Sequence, residues 1–303
     1  MSSLSGFSES TGSVSSSARI ESRISEGSPN VSEEVSGSGH DEPLEQPNMA
    51  GMLPSELAES NLPWHLGYEW ASSLVTDRFS RYRWSSIVNT YAAVVPMFTT
   101  GKTSAELFAE RCTPVDNVCH GREGHDHDFF YIYPCLFTDS HVCLPLDDYT
   151  VDVLHILNVA PTQLHPNSWA SLQASQLLVE MFRLHPSPHV FLSYYSTRPC
   201  NPVRWVSLVS QSHNVLFTPF SSSYKYFKDS FFKIVITPAG RYHFFNGDVP
   251  KFPLYWTWDP VHYLSWPRSP TTKDDKKIFQ IMDQLPQKLN VRFILKLYLS
   301  SHR

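Results

Sequence analysis

The residues with the clearest potential for metal chemistry lie between Arg111 and Cys143. This stretch contains thiols and imidazoles, with Asp126 and Asp128 nearby: Cys112, Cys119, His120, His125, His127, Cys135, His141 and Cys143. Zinc sites usually take their ligands from pairs two to four residues apart. Cys112 and Cys119 are seven residues apart and Cys119 adjoins His120, so no standard zinc knuckle is present. We therefore predict a polar surface turn and no metal site, with an ion held by His125 and His127 as the alternative.

Other patterns of enzymatic or nucleotide chemistry fail on their spacing. Gly101-Lys102 matches the last two residues of the phosphate-binding motif GxxxxGK, but the first glycine of that motif is replaced by Pro96. The motifs GxSxG, HExxH, DTG and DSG are absent. Asp147, Asp148 and Asp152 could be offered as the carboxylates of a metal-dependent nuclease. They cluster at the start of a predicted helix, however, and the favourable interaction of negative charge with the helix dipole explains them there. We predict that the protein is not an enzyme, with no catalytic residue and no cofactor.

The segment Tyr224–Lys233 (YKYFKDSFFK) combines lysines and aromatic residues as nucleic-acid interfaces do. Lysine charge binds phosphates and aromatic rings stack on bases. The candidate contacts are Lys225, Lys228 and Lys233. Residues 141–270, however, carry nine basic and seven acidic residues, which is an ordinary balance. Packed aromatics with solvated lysines are therefore the main interpretation, and a nucleic-acid interface at these lysines is the alternative.

The elements that would position these residues are helical in the middle of the chain. Apolar residues at helical spacing predict one helix over Asp147–Asn158 and another from Asn167 or Ser168 to Phe182, with a turn enforced by Pro161 and Pro166. Ser187-Pro188 predicts a third helix, whose apolar side extends to Tyr195. The aromatic stripe from Trp64 to Phe79 has helical spacing too, which favours core packing.

After the helices, the periodicity changes to two. It predicts a hairpin of residues 203–208 and 214–217, a strand over Phe231–Thr237 that turns toward Arg241–Phe245, and a strand over Leu254–Trp258. One earlier strand is expected from Phe129 to Pro134. The predicted fold class is α+β: a helical N-terminal and central part followed by a small antiparallel sheet.

The two ends of the chain differ from its nearly neutral body. Residues 1–50 hold eight acidic and two basic residues, and fifteen of the first forty residues are serine, which predicts a long disordered tail. Residues 271–303 hold seven basic and three acidic residues, and an amphipathic helix is expected from Thr272 until Pro286 ends it. The five cysteines are an odd count without a secretory leader, so we expect an intracellular protein, in nucleus or cytoplasm, and no membrane span.

Four segments resemble a known family in their order and spacing: residues 144–169 (LPLDDYTVDVLHILNVAPTQLHPNSW), 205–208 (WVSL), 224–235 (YKYFKDSFFKIV) and 252–260 (FPLYWTWDP). They resemble the plant gypsy-type transposon domain, found in proteins encoded by or derived from LTR retrotransposons. The resemblance implies an origin and supplies no catalytic residues. Together with the composition, it divides the chain into a tail (1–50), an N-terminal globular segment (51–143), the transposon-type domain (144–260), which alone carries the resemblance, and a basic helical segment (261–303).

From the origin that the resemblance implies, together with the absence of catalytic motifs, we expect a non-enzymatic, retrotransposon-derived structural or accessory protein. The expected function is protein assembly, through self-association or through binding to other element-encoded proteins. The alternative is a nucleic-acid-binding module that uses Lys225, Lys228, Lys233 and the basic C-terminus.

Overall fold

The computed structural model describes residue 68 and residues 70–99, 105–200, 204–222, 224, 226–269 and 272–301. These residues all belong to one unit that runs from Pro54 to Arg303. The predicted Ser-rich tail lies outside the described residues. No helix in the described ranges combines the length and the apolar character needed to cross a membrane.

The helices follow their local sequence signals closely. They are α1 Ser73–Thr76, α2 Ser85–Val94, α3 Cys135–Asp139, α4 Asp148–Leu157, α5 Pro166–Met181, α6 Pro188–Leu192, α7 Arg241–Phe244, α8 Lys273–Met282 and α9 Val291–Ser301. Asp147 caps α4 by accepting the Thr150 amide at 2.9 Å, and Thr272 caps α8 in a reciprocal capping box with Asp275. The helical pair α4–α5 and the C-terminal helix are thus confirmed.

The start of α5 lies earlier than predicted. Pro166 is its first residue, and the N-cap is His165, whose Nδ1 accepts the amide of Asn167 at 3.1 Å. The expected caps Asn167 and Ser168 are therefore already inside the helix. Proline suits the first helical position because its missing N–H has no partner there in any case.

The strands are β1 Leu107–Glu110, β2 Asp128–Ile132, β3 Tyr195–Cys200, β4 Trp205–Ser210, β5 Phe217–Thr218, β6 Phe232–Ile236, β7 Phe245–Asn246, β8 Val249–Pro250 and β9 Leu289–Asn290. The central sheet has the order β1-β6-β2 and is antiparallel throughout. The remaining strands form the antiparallel pairs β3-β4 and β7-β8 and the short parallel pair β5-β9. The α+β class is confirmed.

Several details of the strand prediction are wrong. β4 pairs with β3, because α6 already ends at Leu192 and residues from Tyr195 onward are extended. Arg241–Phe244 is helical, because the turn Pro238–Gly240 continues into it. Leu254–Trp258 forms no strand. β1 and β2, from segment 51–143, also flank β6 from segment 144–260, so the two segments share one sheet.

Candidate functional site

The three lysines predicted from the sequence do not form one surface. Lys225 lies outside the described residues. Lys233 is only 1% exposed, because it sits in the middle strand of the central sheet with Glu110 and Tyr131 as its cross-strand neighbours. Its buried ammonium cannot reach a phosphate at the surface, so this part of the prediction is wrong. Lys228 is half-buried, with its Nζ 4.2 Å from the centroid of the Trp205 ring.

Lys233 instead belongs to a buried ionic cluster around Asp116. The Lys233 Nζ lies 3.1 Å from Asp116 Oδ2, and the His125 Nε2 lies 3.1 Å from Asp116 Oδ1. The Tyr131 hydroxyl donates to Oδ1 at 3.1 Å, while the amide and hydroxyl of Thr113 donate to Oδ2 at 2.5 and 2.9 Å. The loop that leads from β1 to β2 is thus tied to the central sheet through one carboxylate.

The electrostatics of this cluster favour a structural role. Burial by itself raises the pKa of Asp116, but the hydrogen bond from His125 and the charge of Lys233 outweigh burial and hold that pKa far below its usual range. Beside the cluster is a cavity of about 20 Å³, which holds roughly one water molecule. The partners satisfy one another and leave no room for a substrate, so the cluster stabilises the fold.

The five cysteines, which include the four of the stretch Arg111–Cys143, are free thiols. Within the described ranges, no group of three or more His, Cys, Asp or Glu side chains is placed to hold a metal ion. Cys112 and Cys119 are buried, which raises the pKa of both thiols, that of Cys119 to about 12. This shift disfavours the thiolate, the form in which a cysteine attacks as a nucleophile.

A second set of residues, near α1, combines exposed aromatic rings with arginines. Phe79 is 48% exposed and Tyr226 is 66% exposed. The guanidinium of Arg83 lies 4.9 Å from the centroid of the Phe79 ring, and that of Arg81 lies 5.1 Å from the centroid of the Tyr226 ring. Both distances are within the range of cation–π attraction. We call Phe79, Arg81, Arg83 and Tyr226 the arginine–aromatic surface.

Buried polar contacts hold the chain that presents this surface. The side-chain amide of Asn117 donates to the carbonyls of Val75, Thr76 and Arg78, at 3.1, 2.6 and 3.1 Å, and thereby fixes the end of α1. The Arg81 amide donates to the carbonyl of Asp229 at 2.8 Å. Residues 78–83 and 226–229, which carry the exposed rings, are thus joined through the backbone.

A shallow depression of about 540 Å³ adjoins the arginine–aromatic surface; it is lined by Ser73, Leu74, Asp77, Arg78, Phe79, Arg81 and Asp229. Arg78 pairs with Asp229 at 2.7 Å. Among the described residues, neither Arg81 nor Arg83 pairs with a carboxylate. The guanidinium groups of Arg81 and Arg83 therefore give the arginine–aromatic surface an excess of positive charge, which attracts anions.

The sequence interpretation placed Phe79 in the core and missed this surface. The helical spacing of the stripe is misleading because α1 ends at Thr76 and only Val75 of that helix is buried. The signal that could have found the surface is the alternation of arginines and aromatic residues in Arg78–Trp84 (RFSRYRW).

Comparisons with known proteins add no relative: no family model, no curated protein and no solved structure matches the chain. The resemblance to the gypsy-type transposon domain stays a prediction from sequence.

Proposed function

We propose that this protein is a non-enzymatic binding protein that takes up single-stranded nucleic acid on the arginine–aromatic surface. The observation that carries the proposal is the pairing of exposed rings with guanidinium groups at Phe79 and Tyr226. Exposed rings offer a stacking platform for unpaired bases, and nearby arginines contact the phosphates between them. Bases in a duplex are already stacked on each other, so the platform favours a single strand.

The local charge agrees with this ligand. The cations around the surface outnumber the carboxylates: Arg78, Arg81, Arg83 and Lys228 against Asp77 and Asp229. The exposed guanidinium of Arg81 is therefore available to a phosphate. Arginine binds phosphate through several N–H donors and also stacks on planar rings, so it suits both parts of a nucleotide.

The test is fluorescence anisotropy of the full chain with labelled single- and double-stranded DNA and RNA in a salt series. Base stacking contributes about 1–3 kcal/mol per ring. We expect Phe79→Ala and Tyr226→Ala each to weaken single-strand binding by roughly 5- to 150-fold. Arg81→Ala should also make the salt dependence shallower by about 0.7 in the slope of log K against log salt.

The chain offers matched controls. Phe293 is another exposed phenylalanine and Arg183 another exposed arginine, both distant in sequence from the surface. Phe293→Ala and Arg183→Ala should bind as the parent does. Changing Lys273, Lys276 and Lys277 to Glu tests the basic C-terminal helix that the sequence suggested. Loss of binding in that variant alone, with Phe79→Ala and Tyr226→Ala unaffected, would contradict the proposal.

The exposed apolar face of helix α2 supports protein assembly as a second candidate function. It contains no charged residue between Ser85 and Val94, yet Ile87, Val94 and the adjoining Trp84 are exposed. A groove of about 370 Å³ runs beside it, between Tyr82 and Tyr91. An uncharged helix face can pack against its own copy without charge repulsion, so we propose self-association here.

Sedimentation velocity tests the assembly proposal. Ile87→Glu should shift a dimer toward monomer, because it places two carboxylates in the contact. Leu264→Glu, at an exposed leucine elsewhere, is the control. A chain that is monomeric at all concentrations would contradict self-association. Either function suits an element-encoded structural or accessory protein, the role that the sequence resemblance predicts.

A further inference from the structure

Another exposed ring, which is not part of the arginine–aromatic surface, is that of Trp258. This side chain is 60% exposed. The guanidinium of Arg204 lies 4.7 Å from its ring centroid and 5.9 Å from that of Trp70. The Arg204 Nη1 also donates to the carbonyl of Trp258 at 2.7 Å. The arrangement repeats the pairing of ring and guanidinium seen at Tyr226 and Arg81.

The backbone on both sides of Trp258 is anchored. The buried amide of Gln163 donates to the Thr257 carbonyl at 2.8 Å and accepts the Thr257 amide at 3.0 Å. On the other side, the Asn158 amide donates to the carbonyl of Asp259 at 2.8 Å. The Gln163 amide also donates to the carbonyl of Arg204 at 3.3 Å, so it fixes both partners of the pair. A ring held outward on anchored backbone is a rigid stacking platform.

Lys228 and Trp205 connect the arginine–aromatic surface with the pair of Arg204 and Trp258. Lys228 follows Tyr226 by two positions, and its Nζ lies over the ring of Trp205, the residue next to Arg204. Asp229, next to Lys228, pairs with Arg78 at the first surface. The Trp205 ring is only 3% exposed, so it supports the Lys228 ammonium from within the fold and is not itself a stacking surface. The partly or fully exposed groups are, in order, Arg81, Tyr226, Lys228, Arg204 and Trp258, so cations lie between the two exposed rings. We call these five residues the cation–aromatic row.

Backbone conformation marks two members of the row. Tyr226 and Arg204 both have φ 60°, in the left-handed region. This region is unfavourable for bulky side chains because Cβ crowds the following carbonyl. Four other described non-glycine residues, His141, Asn158, Arg183 and Lys288, share this conformation, so it fixes the backbone of Tyr226 and Arg204 without itself indicating a site. The two residues are also those that bring their side chains beside Arg81 and Trp258.

We propose that Trp258 and Arg204 form a second base-stacking position, so that the ligand is a single strand several nucleotides long that follows the cation–aromatic row. This inference rests on the proposed function, since it requires a strand at Phe79 and Tyr226. The chemistry of the row, rings separated by cations, matches the alternation of bases and phosphates along one strand. Linking two weak positions through one strand raises the affinity above that of either alone.

The experiment is an anisotropy series with oligothymidylates of about 4 to about 16 nucleotides, the range of site sizes in single-strand-binding folds. The parent protein should bind more tightly as length increases, until the strand spans both positions. Trp258→Ala should bind the shortest strand as the parent does and lose roughly tenfold or more on the longest. Trp258→Phe, which keeps a ring, should recover most of that loss. A strand of the longest size with abasic residues should bind the parent and Trp258→Ala alike.

The outcomes separate this inference from the proposed function. If Trp258→Ala binds long strands like the parent while Tyr226→Ala is impaired, the second position is refuted and the proposed function stands. An equal loss in Trp258→Ala at every length refutes the continuation, because the shortest strand would then already occupy Trp258. If the parent binds no strand, both proposals fail. If abasic and base-bearing strands bind equally, the row recognises charge alone, as an acidic peptide would also provide, and base stacking is refuted.

Discussion

Replacing Lys233 by Met tests whether the Asp116 cluster stabilises the fold. Methionine keeps the length and the apolar stem of lysine but removes the charge. Asp116 is 2% exposed and would lose its partner at 3.1 Å while remaining ionised among His125, Thr113 and Tyr131. Breaking a buried ion pair costs about 3–5 kcal/mol. Because the remaining donors still satisfy much of the carboxylate, we expect the lower end, about 3 kcal/mol.

The opposite change should cost more. In Asp116→Asn, the Lys233 ammonium keeps only the half-exposed carboxylate of Glu110, at 3.9 Å, as an anionic partner among the described residues. We expect a loss near the upper end of the same range, about 5 kcal/mol. Combining Asp116→Asn with Lys233→Met removes both charges, so the loss should fall below the sum of the single losses by roughly 1–3 kcal/mol.

Urea denaturation followed by tryptophan fluorescence measures all three variants and gives the coupling free energy. The control is Lys277→Met, which removes an exposed lysine paired with Asp274 at 3.2 Å and should change the free energy of unfolding by less than about 0.5 kcal/mol. A loss below about 1 kcal/mol in Lys233→Met, or single losses that simply add, would refute the view that this pair is a buried, stabilising interaction.

Three further changes test the fold elsewhere. Burial, with a smaller contribution from Lys228, lowers the pKa of His165 to about 4, so the stability that its neutral cap provides is complete above pH about 6.5 and is lost as the pH falls toward 4. Asparagine also caps helices but does not titrate, so His165→Asn should remove this pH dependence, which is worth on the order of 3 kcal/mol. The measurement is the urea midpoint as a function of pH. If the midpoint of His165→Asn falls with pH as that of the parent does, the His165 cap is not the cause. Trp169→Ala should cost about 3–5 kcal/mol because the ring is fully buried and its Nε1 donates to the Pro161 carbonyl at 3.0 Å; a loss under 1 kcal/mol in thermal unfolding would contradict the packing of α5. Gly240→Ala places a Cβ against the Glu106 carbonyl and should cost about 1–3 kcal/mol, whereas unchanged stability would mean that β1 is not held there.

Local signals in the sequence were enough to predict helices α4, α5, α6 and α8 and strand β2. Asp147 and Thr272 cap helices through contacts only three residues away, and Phe129–Ile132 lies in a strand as its alternation suggests. Such interactions form within one or two turns of chain and leave a pattern that can be read directly.

Long-range pairing could not be predicted in the same way. β6 pairs with strands about a hundred residues earlier, and the burial of Lys233 depends on Asp116, which lies in a loop with no regular pattern. A lysine in a sequence is ordinarily assigned to the surface. The candidate site was missed for a related reason. Phe79 stands at helical spacing from earlier apolar residues, but the distant Asn117 side chain binds the carbonyls of Thr76 and Arg78, where α1 ends.

The most direct test of nucleic-acid binding is to map where a bound strand touches the protein. The full chain would be irradiated with a single strand containing 4-thiouridine, and the adducts located by mass spectrometry. We expect adducts in residues 73–84 and 226–229, and their loss when Phe79 and Tyr226 are both replaced by Ala. Adducts confined to α8 and α9, or unchanged in that double variant, would contradict the assignment of this surface.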